Sequence, residues 1–120
     1  MIDKFQVSKI AFLGEQDGPF ERDLKRGISS VLMNESEVTR AYLVKVQYEG
    51  ESGNRVILAL EGGDGSASRI VETVGGIFKQ LFNRSQSLDI LFLNATQMAQ
   101  VSAVAAPFYQ SEISNFRQVN

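Results

Sequence analysis

The sequence contains no cysteine, no histidine and no tryptophan, and only two prolines among 120 residues. Without cysteine there is no disulfide framework, no thiolate metal site and no cysteine nucleophile. Without histidine, imidazole ligation and the Ser-His-Asp triad are gone, with the side chain that titrates near neutrality. An excess of positive charge is also missing. Twelve basic against fourteen acidic residues give a net charge of −2, whereas nucleic-acid binding needs clustered Lys and Arg. No apolar run approaches the roughly 20 residues that span a bilayer. The start, Met1-Ile2-Asp3-Lys4-Phe5-Gln6, lacks the charged and apolar regions of a secretory signal. The expectation is a cytoplasmic protein with no nucleic-acid or membrane partner, no cofactor, no metal and no enzymatic activity.

What is present is a globular composition, 43% apolar and 22% charged, in one domain of ordinary size. Its core is expected over about residues 8–110, with a short tail from 111 to 120. Turn signals at Gly18-Pro19, Glu49 to Asn54, Gly62-Gly63-Asp64-Gly65 and Pro107 divide the chain. Lys9 to Glu15 alternates as a strand. Phe20 to Met33 sets Phe20, Leu24, Ile28 and Leu32 on one side and charges on the other, which predicts an amphipathic helix with Pro19 at its first position. Thr39 to Glu49 and Arg55 to Glu61 read as a hairpin. Ser66 to Phe82 carries Ile70, Val71, Val74, Ile77, Phe78, Leu81 and Phe82 at helical spacing. Leu88 to Leu93 is a fourth strand, and Asn94-Ala95-Thr96-Gln97 resembles a capping box that opens a third helix, stopped by Pro107.

The order β-α-β-β-α-β, with an added C-terminal helix, predicts an α+β domain. The expected architecture is a ferredoxin-like, four-stranded antiparallel sheet with both long helices on one face. The strands are apolar on both faces: Tyr42, Val44, Val46 and Tyr48 oppose Ala41 and Leu43, and Ile57 and Ala59 oppose Val56, Leu58 and Leu60. Something must cover the second face. Either the third helix lies across it through Met98, Val101 and Val104 or Ala105, or a homodimer or protein partner does.

Other segments admit two readings each. Gly62 to Gly65 before a helix suits a tight turn better than an anion cradle, since no phosphate-loop spacing is present. Gly75-Gly76 inside a helix suggests backbone packed close to the sheet, or a kink. Glu15, Asp17, Glu21 and Asp23 are expected to be dipole partners of the first helix, and Arg22, Lys25 and Arg26 a solvated face. After Pro107 the pair Phe108-Tyr109 is the candidate docking spot, with Phe108 expected inward and Tyr109 at the surface.

From Ile10 to Gln110 the chain resembles the C-terminal domain of the enhanced serine sensitivity (SseB) family. The resemblance runs through Val38-Thr39-Arg40-Ala41-Tyr42-Leu43, Ile57 to Gly65, Leu88-Asp89-Ile90 and, most specifically, Ala106-Pro107-Phe108-Tyr109. It implies a small bacterial domain linked to a serine-sensitivity phenotype, with no catalytic residue to carry over. Longer members place another domain ahead of this one, and here Met1 stands almost at the first strand. The reading is therefore a non-enzymatic interaction or regulatory module. The alternative is an amino-acid sensor, because the element order is shared with ACT-type domains and Gly14 to Pro19 loosely resembles their ligand-binding turn.

Overall fold

The computed structural model describes residues 10–82 and 88–111, apart from the side chains of residues 81 and 82. Expectations for Lys9, for the side chains of Leu81 and Phe82, and for the tail from residue 112 lie outside the described residues. Strands β1 (Ile10–Glu15), β2 (Val38–Tyr48), β3 (Arg55–Gly62), β4 (Asp89–Phe92) and β5 (Tyr109–Gln110) alternate with helices α1 (Pro19–Leu32), α2 (Ala67–Phe82) and α3 (Ala95–Ser102).

The helices start where local chemistry dictates. Gly18 is extended and Pro19 opens α1, because the proline lacks only an N–H that the first turn would leave unpaired anyway. Asn94 and Gln97 form the reciprocal capping box, Asn94 accepting from the Gln97 N–H at 2.8 Å and Gln97 from the Asn94 N–H at 3.0 Å. Helix α3 ends at Ser102, well before Pro107, so the proline does not stop it.

The sheet runs β1-β2-β3-β4. β1 and β3 lie antiparallel to β2, but β4 is parallel to β3. The expected antiparallel, ferredoxin-like sheet is thus corrected to a mixed α+β sheet. In a ferredoxin-like sheet each helical crossover passes over one intervening strand; here α2 carries the chain from β3 directly to its neighbour β4. Only that arrangement makes the pair parallel. β1 covers β2 from Val44 to Tyr48, and β5 continues along the same edge of β2 at Arg40 and Ala41.

Both faces are apolar and both are covered. On the first, Leu24, Ile28 and Leu32 of α1 and Ile70 and Val74 of α2 bury Ala41, Leu43, Leu58 and Leu60. On the second, Leu93, Met98, Val101 and Ala105 pack with Tyr42, Val44, Val46, Ile57 and Ala59. The third helix therefore does lie across the sheet through Met98 and Val101, with Ala105 packing from the segment just beyond it, while Val104 is exposed. Each fully buried aliphatic side chain adds about 1.5–3 kcal/mol over leaving it in water. Phe20 was expected on the buried stripe of α1 and instead is 68% exposed. It sits in the first turn of α1.

Candidate functional site

The segment after Pro107 is built into the domain. Its backbone is a strand: the Phe108 N–H donates to the Ala41 carbonyl at 2.9 Å, and the Ser111 N–H to the Thr39 carbonyl at 2.9 Å. Phe108 and Tyr109 are both half-buried against the first core. The Tyr109 hydroxyl donates to the carbonyl of Leu32, the last residue of α1, at 3.1 Å. Lys25 Nζ stands 6.0 Å from the centre of the Phe108 ring. The expected division, Phe108 inward and Tyr109 at the surface, is corrected: both rings brace β5 against α1.

Between β5 and the C-terminal end of α1 runs a groove of about 450 Å³, lined by Met33, Glu35, Ser36, Phe108, Tyr109 and Ser111 among others. Met33 at its rim is 74% exposed. The Glu35 carboxylate accepts from Arg69 Nη2 at 2.6 Å and from Arg69 Nε at 3.0 Å. Its side chain is only 10% exposed, against 65% for Arg69. The Arg69 hydrogen bonds hold the Glu35 carboxyl below its ordinary pKa, outweighing the upward push of burial. Nothing in the local sequence announces this pair, whose members stand 34 residues apart.

At the first strand-helix turn, Lys25 Nζ bridges Glu15 Oε2 and Asp17 Oδ1, each at 3.2 Å. Arg22 also bonds Asp17. The hydrogen bonds from Arg22, then Lys25, lower the Asp17 pKa. These acids are ion-paired to side chains as well as near a helix start. Lys25 is 11% exposed, so it does not belong to the solvated face expected for it. Arg26 and Asp23 do form an exposed pair at 2.9 Å. Elsewhere Glu61 holds Thr39 and Arg40, and Asp89 holds Arg55 and Tyr48. Burial and then the Asp89 charge push the Tyr48 phenol up. Among the described residues no group of three or more acids is gathered as a metal site would require. No described helix is long and apolar enough to cross a membrane.

The glycine run is a tight turn. Gly62 and Gly63 have φ of +84° and +91°, and a Cβ on Gly62 would collide with the Glu37 carbonyl oxygen. The Glu37 carboxylate lies beside Gly65, an unwelcoming neighbour for an anion. By contrast, a Cβ on Gly75 or Gly76 would meet nothing within 4 Å. The expected close packing of that pair against the sheet is absent, and α2 runs through both.

No curated protein and no solved structure matches the chain. Residues 16–111 match the profile of the SseB protein C-terminal domain. That span begins at the turn before α1 and ends at Ser111, the last residue bonded to the edge of β2. The matched unit thus takes in every described strand and helix except β1, and its Ala106-Pro107-Phe108-Tyr109 ending forms the brace. The chain belongs to the SseB C-terminal domain family.

Proposed function

We propose that the chain is a non-enzymatic interaction or regulatory module that docks a protein partner at the groove lined by Phe108, Tyr109 and Met33, just past Pro107. The observation that carries this reading is Met33 itself, a large apolar side chain 74% exposed above a half-buried aromatic pair. Apolar side chains at the mouth of a formed groove are the usual anchors of protein contacts. The partner is one that presents an apolar side chain to Met33. A covered second sheet face moves the docking surface away from the sheet, because α3 already lies over Val44, Ile57 and Ala59.

The non-enzymatic part is supported by the acids. Asp17 and Glu35 are held below the ordinary carboxylate range by their arginine and lysine partners. A general acid or base at neutral pH needs the opposite shift, toward 7. The amino-acid-sensor reading rests on the element order shared with ACT-type domains and on the Gly14 to Pro19 turn. The mixed sheet and Lys25, which fills that turn between Glu15 and Asp17, both weigh against it. A cytoplasmic location goes with the module reading. Calorimetric titration of serine and the other amino acids into the chain tests it. The module gives no saturable heat; saturable binding of any amino acid favours the sensor.

A further inference from the structure

The outer edge of β4 takes no part in the function proposed above. β4 ends the sheet beyond β3, pairing Leu58 with Ile90, Ala59 with Leu91 and Leu60 with Phe92. The Leu93 N–H donates to the Leu60 carbonyl at 2.8 Å. Main-chain groups of successive strand residues turn to opposite edges. Asp89, Leu91 and Leu93 therefore face β3, and the N–H and C=O groups of Ile90 and Phe92 face outward. Among the described residues these outward groups have no partner.

The two edges of the sheet are treated differently. At the β1 edge a register shift between Phe12 and Gly14 breaks the strand, and β5 occupies the rest of β2. Bulges and covering segments of that kind block edge-to-edge pairing. β4 has no bulge, no proline and no lysine; its one charge, Asp89, is tied to Arg55 at 3.1 Å and to Tyr48 at 3.3 Å. Ile90, Leu91 and Phe92 are half-buried, while their β3 partners Leu58, Ala59 and Leu60 are fully buried. The edge thus offers backbone groups unpaired among the described residues, flanked by half-covered apolar side chains on both faces.

We propose that β4 pairs antiparallel with β4 of a second copy of this chain, joining two sheets across a two-fold axis beside Leu91. In that register Ile90 faces the partner's Phe92, and each facing pair exchanges both of its main-chain hydrogen bonds. The fit is self-complementary. Ile90 and Phe92 lie on the face covered by α2, Leu91 on the face covered by α3, so a second copy extends both apolar layers with their own kind. The same register sets Asp89 opposite the partner's Leu93, keeping the two carboxylates at opposite ends of the seam. A foreign strand would have to match apolar demands on both faces at once. This contact is independent of the groove beside β5, so a failure here leaves the docking reading intact, and the reverse.

Solution molar mass against concentration, with amide hydrogen exchange on the same samples, tests the proposal. The mass should rise from 13.3 kDa toward twice that value. Protection of the Ile90 and Phe92 amides should rise with it, while Leu91 and Leu93 stay protected throughout. Ile90→Pro deletes an outward N–H that β3 does not use, a substitution tolerated at sheet edges, and should weaken self-association by about tenfold or more. If that variant fails to fold, the exchange pattern of the unmodified chain still decides. A monomer at all concentrations overturns the proposal. So does a dimer whose Ile90 and Phe92 amides exchange freely, or a folded Ile90→Pro chain that self-associates as before.

Discussion

Replacing Tyr109 by Phe removes one oxygen and tests whether the terminal aromatic pair braces the domain. The deleted bond runs from the Tyr109 hydroxyl to the Leu32 carbonyl at 3.1 Å. That carbonyl ends α1 and would lack an intrahelical partner, but it also accepts from the Glu35 N–H at 2.9 Å. Losing the tyrosine therefore leaves it satisfied, so no desolvation penalty is added. The expected cost is that of one ordinary hydrogen bond, about 0.5–1.5 kcal/mol, or a few degrees in Tm. Tyr109→Ala removes in addition a half-buried ring packed on the core. Complete truncation of a buried aromatic costs about 3–5 kcal/mol, and half burial brings this to roughly 2–3 kcal/mol. It also loosens β5, whose Phe108 and Ser111 N–H bonds flank the ring. Urea denaturation followed by circular dichroism measures both variants. If Tyr109→Phe and Tyr109→Ala each lie within about 0.5 kcal/mol of the parent, as exposed substitutions do, the brace does not exist.

Three further outcomes are expected. Gly76→Ala should stabilise the domain by about 0.5–1 kcal/mol, because it lies in a helix with no obstacle to a Cβ; a destabilised variant would reveal a hidden contact. Gly62→Ala should destabilise by more than about 1 kcal/mol, since φ is +84° and the Glu37 carbonyl stands in the way; an unchanged Tm would refute the turn geometry. The Glu35 carboxyl has a folded pKa below its ordinary 4.5, so the unfolded chain binds the proton more readily there. Its contribution is complete above the unfolded value and drains away as pH falls from about 4.5 through the folded pKa. Asp17 acts in the same direction. Melting curves between pH 6 and 3 should be flatter for Glu35→Gln than for the parent, and parallel curves would contradict the pairing.

The faces of β2, β3 and β4 were legible because side-chain alternation reports which side of a sheet a residue takes. The starts of α1 and α3 were legible because Pro19 and the Asn94–Gln97 pair are local chemistry. Strand direction and neighbour were not. Leu88 to Leu93 alternates the same way whether β4 runs parallel or antiparallel, and only the path of α2 decides. β5 was invisible as a strand, since Tyr109 and Gln110 are too few to show a period; the motif marked the place without its pairing. The Glu35–Arg69 and Lys25–Glu15 pairs join residues distant in sequence, so no local pattern reports them, and Lys25 reads as part of a solvated face. Gly75 and Gly76 misled in the other direction, because an unfavourable residue in a helix suggested a steric reason that the packing does not contain.

The most direct test of the account is the affinity of a docked protein partner, first identified by cross-linking to the groove, for the parent chain and for Met33→Lys. Met33 is exposed and caps α1, whose last turn has no basic residue, so a lysine there suits the helix dipole and should leave Tm unchanged or slightly higher. It also sets a charge where an apolar side chain should dock. Calorimetric binding should weaken about tenfold or more with folding intact. Equal affinity of the two chains for the partner would contradict this.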